Sequence, residues 1–247
     1  GGRHWDDAFL DGSFAYDQGV YGVPFAAEFH GHEGEEPGAE PGGDPVDEHD
    51  EERIEIDGER SAFRLNAGLR ELGGFLEDAH AHLTYVDWTH RELEGEEVGT
   101  RFSNESLVFR AEANQRPVGR LAGTFGVWGQ LRDFEAVGEE ALSPPVEQRS
   151  LALFALEELE FESVRVAGGL RLETNRYEPG SGLPDRSFTG LSGSLGVNVP
   201  VAEGAALYAN LSRSHRAPAL EELYNEGPHV GTLTFEIGDG NLDPETT

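Results

Sequence analysis

Cysteine, methionine and lysine are all absent from this chain of 247 residues. Without cysteine there is no disulfide framework and no thiolate metal site, so any bound metal must use His, Asp, Glu or carbonyl oxygen. Without methionine or an N-terminal apolar segment, the sequence reads as an internal piece of a longer protein. A missing leader peptide therefore says nothing about export. No run of 18 apolar residues occurs, which excludes a membrane-spanning helix but not a membrane-spanning strand. Basic residues are scarce: 18 arginines face 48 acidic residues, for a net charge of -30. Such a surface is a poor partner for nucleic acid, which needs clustered cations. Two explanations of the acidity stay open, a face that attracts cations and a surface kept hydrated in a salty habitat. Mean hydropathy is -0.49, so no argument can rest on bulk apolarity.

What the chain does have is alternation. Leu10, Gly12, Phe14 and Tyr16 alternate with Asp11, Ser13, Ala15 and Asp17 over residues 9–18, the period-2 signature of a half-buried strand. Similar runs predict strands at about 54–71, 79–91, 101–113, 120–134, 148–160, 164–172, 186–199 and 205–213. The run Leu151-Ala152-Leu153-Phe154-Ala155-Leu156 blurs its own pattern, and a helix over 148–160 is the alternative there. Residues 25–52 show no period and read as a solvated loop. Connections alternate long (19–53, 92–100, 135–147, 173–185, 214–247) and short (72–78, 114–119, 161–163, 200–204). That rhythm suits an outer-membrane barrel with long outer loops and short periplasmic turns. Parity predicts Phe109, Phe125, Val127, Leu170 and Leu211 on the lipid face, and Arg64, Arg110, Arg132 and Arg171 on the opposite one.

The most ordered stretch is 208–245, YANLSRSHRAPALEELYNEGPHVGTLTFEIGDGNLDPE. An alternating strand ends in S-x-x-x-R-A-P, E-E-L-Y follows, and F-E-x-G-x-x-x-L-x-P-E closes the stretch. These three blocks in order resemble TonB-dependent outer-membrane receptors, and Tyr21-Gly22-Val23-Pro24 resembles a block that closes a strand in the same family. The resemblance implies an all-β antiparallel meander forming part of a transmembrane barrel, with about nine strands visible. It implies that residues 1–247 are a central barrel segment, with the plug domain and the C-terminal strands elsewhere. It implies active import driven by the TonB energy-coupling complex through that plug, contact with outer-membrane lipid, and no enzymatic activity. A passive adhesin or structural barrel and an outer-membrane hydrolase are alternatives of other classes. No serine sits in a G-x-S-x-G step, and an upstream plug with its coupling box would discriminate in favour of import.

Three constellations could bind metal. His30, His32 and His49 share one loop with Asp50 and neighbouring acids, and imidazole with carboxylate suits borderline metals. Histidines scattered by chance in an acidic loop are the bland alternative. On the 79–91 strand, parity sends His80, His82, Trp88, His90 and Glu92 toward the lumen. His80 and His82 read as polar lumen contacts, while His90 and Glu92 fall at the outer mouth. The resemblance is closest to zinc-importing receptors, in which a glutamate after an H-x-E step binds metal, and Glu92 matches it. Their G-x-H-V step places a ligand at His229. Zinc or another divalent metal is therefore the expected cargo rather than a resident cofactor, and none of the latter is expected. Haem, siderophore-iron or cobalamin is the alternative cargo.

Overall fold

The computed structural model describes residues 1–23, 54–95, 97–138, 141–180, 182–229 and 234–247. Ten strands form one antiparallel sheet in strict sequence order. They are β1 Gly2–His4, β2 Ala8–Gly22, β3 Ile54–Leu69, β4 Leu76–Glu94, β5 Glu97–Gln115, β6 Leu121–Gly138, β7 Val146–Glu160, β8 Arg165–Pro179, β9 Arg186–Ala202 and β10 Ala205–Arg213. Nine of these are the long strands expected, and β1 is a short addition. Beyond them lie β11 His215–Arg216, helix α1 Leu220–Tyr224, β12 Glu226–His229, β13 Thr234–Ile237 and β14 Glu245–Thr246. Strand β11 pairs with β14 and β12 with β13, each as a separate two-stranded ribbon. The loop expected at 25–52 lies outside the described residues.

Residues 148–160 belong to a strand and not to a helix: β7 pairs along its whole length with β8 and from Val146 to Leu159 with β6. Leu and Ala favour helix only weakly, and two neighbouring ladders outweigh that preference. The expected loop at 92–100 is also corrected. Strands β4 and β5 continue to Glu94 and from Glu97, and Gly95 supplies the positive φ of 60° at the hairpin tip. Likewise β6 continues to Gly138 and β8 to Pro179, so the connections expected at 135–147 and 173–185 shrink to 139–145 and 180–185. Acidic residues do not end these strands, because beyond the apolar zone they can point into water while their backbones stay paired.

Register makes the two faces of the sheet chemically different. One row runs Leu65, Leu83, Phe109, Gly129, Leu151, Thr174 across β3 to β8, and the next runs Ala67, Ala81, Ala111, Val127, Leu153, Leu172. Phe125, Leu170 and Leu211 belong to this face, and its side chains stand bare: Leu170 is 61% and Leu211 76% exposed. A continuous bare apolar surface of this extent calls for a non-aqueous neighbour. On β6 the outward positions from Leu121 to Leu131 cover about 33 Å along the strand. At a tilt of about 45° that is about 23 Å of height, matching the apolar band of outer-membrane barrels.

The opposite face carries Arg64, Arg110, Arg132 and Arg171, as parity predicts. Arg110 pairs with Glu112 at 2.7 Å and lies over the Phe154 ring. Arg171 pairs with Glu173 at 2.6 Å and lies over Trp128. Residues 214–229 and 234–247 fold back over this face, which is called the inner face below. The hydrophobic core lies under that segment: Val146, Tyr177 and Phe188 of the wall pack with Leu220, Leu223 and Tyr224.

Candidate functional site

Strand β4 supplies the first part of the site. His80, His82, Trp88, His90 and Glu92 share its inner face, since their register neighbours on β5 are Glu112, Arg110, Asn104, Phe102 and Thr100. The lower histidines are engaged within the wall: His80 lies 3.0 Å from Asp78, and His82 Nδ1 donates to Asn66 Oδ1 at 2.8 Å. This fits polar wall contacts rather than open ligand positions. His90, nearer the loop end, is held differently. Its ring stacks on Phe102 at 4.4 Å and leans on Trp88 at 4.5 Å. Its Nδ1 is buried with no hydrogen-bond partner among the described residues. A buried imidazole nitrogen without a partner bears the full desolvation cost of a polar atom. Glu92, half-buried two positions further along, lies between Ile56 of β3 and Thr100 of β5.

The second part is the segment from Ser214 onward. Pro218 precedes α1, and the Glu222 carboxylate accepts a hydrogen bond at 2.7 Å from the Ala219 N–H, satisfying a donor at the helix start. Glu222 also accepts from Arg216, which reaches Glu245 as well. Arg216 and the Ala219 N–H hold the Glu222 carboxyl below its usual range, and Arg216 does the same for Glu245. This triad ties the beginning of the segment to its end. Burial pushes the Tyr224 phenol up.

The segment is fastened to the wall at several points. Tyr177 donates to the Pro218 carbonyl at 2.9 Å, Arg186 to the Leu242 carbonyl at 2.8 Å and Tyr224 to the Pro184 carbonyl at 3.3 Å. The Glu226 N–H donates to the Leu142 carbonyl at 2.6 Å. Arg132 donates to Asn104 at 2.9 Å and to Glu221 at 3.1 Å. At Gly190 of β9 a Cβ would fall 2.0 Å from the His215 ring, so glycine lets the segment approach the wall. Sequence reasoning did not single out Arg132, Tyr177, Phe188 and Glu221 as partners. The available signal was two aromatics at inner-face parity near the loop ends of β8 and β9.

Among the residues named from sequence, His90 and Glu92 are together on one face of β4. His229 ends β12, whose backbone pairs with Thr234 of β13, in a ribbon separate from the large sheet. His30, His32, His49 and Asp50 lie outside the described residues. Among the described residues no group of three or more His, Cys, Asp or Glu side chains is placed to hold a metal ion.

Residues 2–247 match the family model described as "TonB dependent receptor-like, beta-barrel". The fold is similar to several solved structures. The haemophore receptor HasR of Serratia marcescens, solved with its haemophore HasA and haem, gives a TM-score of 0.69 at 17% identity, covering 99% of this chain and 39% of that one. The FrpB iron transporter of Neisseria meningitidis gives 0.66 at 16% identity, covering 88% and 36%. The copper transporter OprC gives 0.64 at 16% identity, covering 78% and 38%. The chain thus spans well under half the length of these proteins.

Proposed function

Because the chain belongs to the TonB-dependent receptor β-barrel family, we propose that it forms part of the wall of an outer-membrane importer. In this reading residues 1–247 are a central barrel segment. The plug domain and the remaining strands complete the receptor, and the TonB complex drives it through the plug. The bare apolar band meets outer-membrane lipid, and the inner face lines the lumen. The role is transport and not catalysis. Zinc or another divalent metal is the proposed cargo, and no resident cofactor is assigned.

One observation carries the metal reading furthest: His90 and Glu92 share the inner face at the loop end of β4. Imidazole and carboxylate are suitable ligands for zinc. His229, on β12 of the folded-back segment, is the proposed second contribution from this chain, and the plug supplies the rest. The acidic loop with His30, His32, His49 and Asp50 raises local cation concentration through its field. It binds weakly, because ordering a loop costs conformational entropy, and it delivers the ion to the stiffer wall site. A haem or siderophore complex is the second reading, favoured by the aromatic stack of Trp88, His90 and Phe102.

Isothermal titration of the full-length, plug-containing receptor with zinc tests this. His229→Ala and Glu92→Ala should each weaken zinc binding much more than His32→Ala. Because protons compete with metal for imidazole, binding should also weaken as pH falls toward about 6. Two variants that bind zinc like the parent would remove the site assignment. A parent that binds haem or a siderophore complex but no divalent metal would leave only the importer class.

A further inference from the structure

The ion pairs of the described residues divide sharply. Those of Arg60, Arg91, Arg110, Arg149, Arg165, Arg171 and Arg176 stay within the sheet and its connections, and those of Arg216 stay within the folded-back segment. Among the described residues, the Arg132–Glu221 pair alone joins the segment to the wall. Its geometry is restrained on every side. The guanidinium lies over the Phe134 ring, Nε donates to Asn104 of β5, and Nη2 donates to Glu221 of α1. The Arg132 side chain is only 20% exposed, while the Glu221 carboxylate it meets is 43% exposed, so the wall side of the pair is the sheltered one.

We infer that Arg132 is a positioning residue: it docks α1 on the wall and thereby fixes where β12, which carries His229, stands over the lumen. The connection is short and stiff. Glu221 is in the first turn of α1, the Asn225 N–H donates to the Glu221 carbonyl at the other end, and β12 begins at Glu226. The Asn225 side chain also donates to Glu236 of β13, so the ribbon is tied to the helix that Arg132 holds. A displacement of α1 therefore moves the whole ribbon. Arg is suited to the task because one planar fork serves Asn104 and Glu221 together, whereas an ammonium is a point charge.

The inference rests on the metal reading of His229 proposed above, and two measurements on the full-length receptor separate the two ideas. Amide exchange at Leu223 and Asn225 in the metal-free receptor reports the docking of α1. Zinc titration reports the consequence. Arg132→Gln and Glu221→Gln should each speed exchange at these amides and weaken zinc binding about tenfold. The double variant should be little worse than either single one, because both remove the same interaction. Arg132→Lys should recover part of both effects. Unchanged exchange in Arg132→Gln would overturn the docking role. Faster exchange with unchanged zinc affinity would overturn the positioning role while leaving the metal site intact. A parent receptor that binds no zinc would overturn both readings.

Discussion

The two faces of the sheet are built from the same ten strands and obey opposite rules. On the inner face, charge is common and mostly matched: Arg110 with Glu112, Arg171 with Glu173, Arg132 with Glu221. On the outer face the central rows are apolar, and the charges above them are stacked like against like. Asp87 of β4 stands opposite Glu105, Glu105 opposite Asp133, Asp133 opposite Glu147 and Glu147 opposite Glu178. Arg149 and Arg176 relieve the β7 and β8 members of this row. For Asp87, Glu105 and Asp133 the described residues offer no comparable arginine. Directly opposed like charges destabilise a sheet. Net charge alone is therefore a poor guide to this protein: the inner face of the sheet sets arginine beside acid, whereas the outer face sets acid opposite acid above its apolar band.

The largest difference between the two faces is expected at the apolar band itself. Leu153→Arg on the outer face should destabilise the membrane-inserted receptor by about 2–4 kcal/mol, the cost of a cation near the bilayer midplane. Gln130→Arg on the inner face of the adjoining strand should cost far less. Denaturant titration of the full-length receptor in liposomes compares them, and equal losses would mean that the faces are wrongly assigned.

A smaller effect is expected at the carboxylate row. Replacing Glu105 by Gln and Asp133 by Asn together should stabilise the receptor by about 0.2–1 kcal/mol per relieved pair at low salt. Near 1 M salt, where screening extends only about 3 Å, the gain should disappear. Thermal unfolding across a salt series measures it. Stabilisation that persists unchanged at 1 M would show that the row matters through packing and not through charge.

The smallest effect sharpens the inner face. Glu222 and Glu245 titrate below the usual carboxylate range because Arg216 binds their ionised forms. A lowered folded-state value stabilises the docked segment above the ordinary carboxylate range, and that contribution is lost as pH falls through the lowered value. Between neutrality and the ordinary range, the protection of the Leu223 amide, its exchange taken relative to the intrinsic rate at each pH, should therefore be flat. It should fall only in more acidic solution, and Arg216→Gln should abolish the step. Both groups are solvent-exposed, so the change should be modest.

The sheet was readable from sequence because strands with one apolar and one polar face state their facing residue by residue. Phe63, Leu65 and Ala67 alternate with Arg64 and Asn66, and a single slip would have exchanged every one of them between the apolar and the polar face. Strand 205–213 has the same bounds in sequence and structure. Strand ends were less readable. Past the apolar band both faces meet water, the alternation loses its meaning, and Glu92, Leu93 and Glu94 look like loop while remaining paired. The folded-back segment was least readable. Its helix spans only Leu220–Tyr224 and buries Leu220, Leu223 and Tyr224 against residues more than 30 positions earlier in the chain. Glu222 three positions after Ala219 was the local hint of a helix start, but no local pattern names Val146, Tyr177 and Phe188 as its seat. Of the proposed metal residues, Glu92 and His90 could be placed by parity. His229 lies on a short ribbon whose position depends on that distant packing.

The strictly sequential strand order also dictates a sequence of events. Each strand of the large sheet joins the one synthesised just before it, so every new pairing closes a loop no longer than one connection, from two residues between β4 and β5 to 31 between β2 and β3, and the entropic cost grows only slowly with that length. The Arg132–Glu221 contact closes a loop of 89 residues and needs β6 through β9 to exist first. Docking of the segment is therefore a late event that completed wall strands make cheap and incomplete ones do not. A chain stalled midway in assembly would carry its mouth open, with Val146, Tyr177 and Phe188 uncovered, which is the state a quality-control factor could distinguish from the finished one.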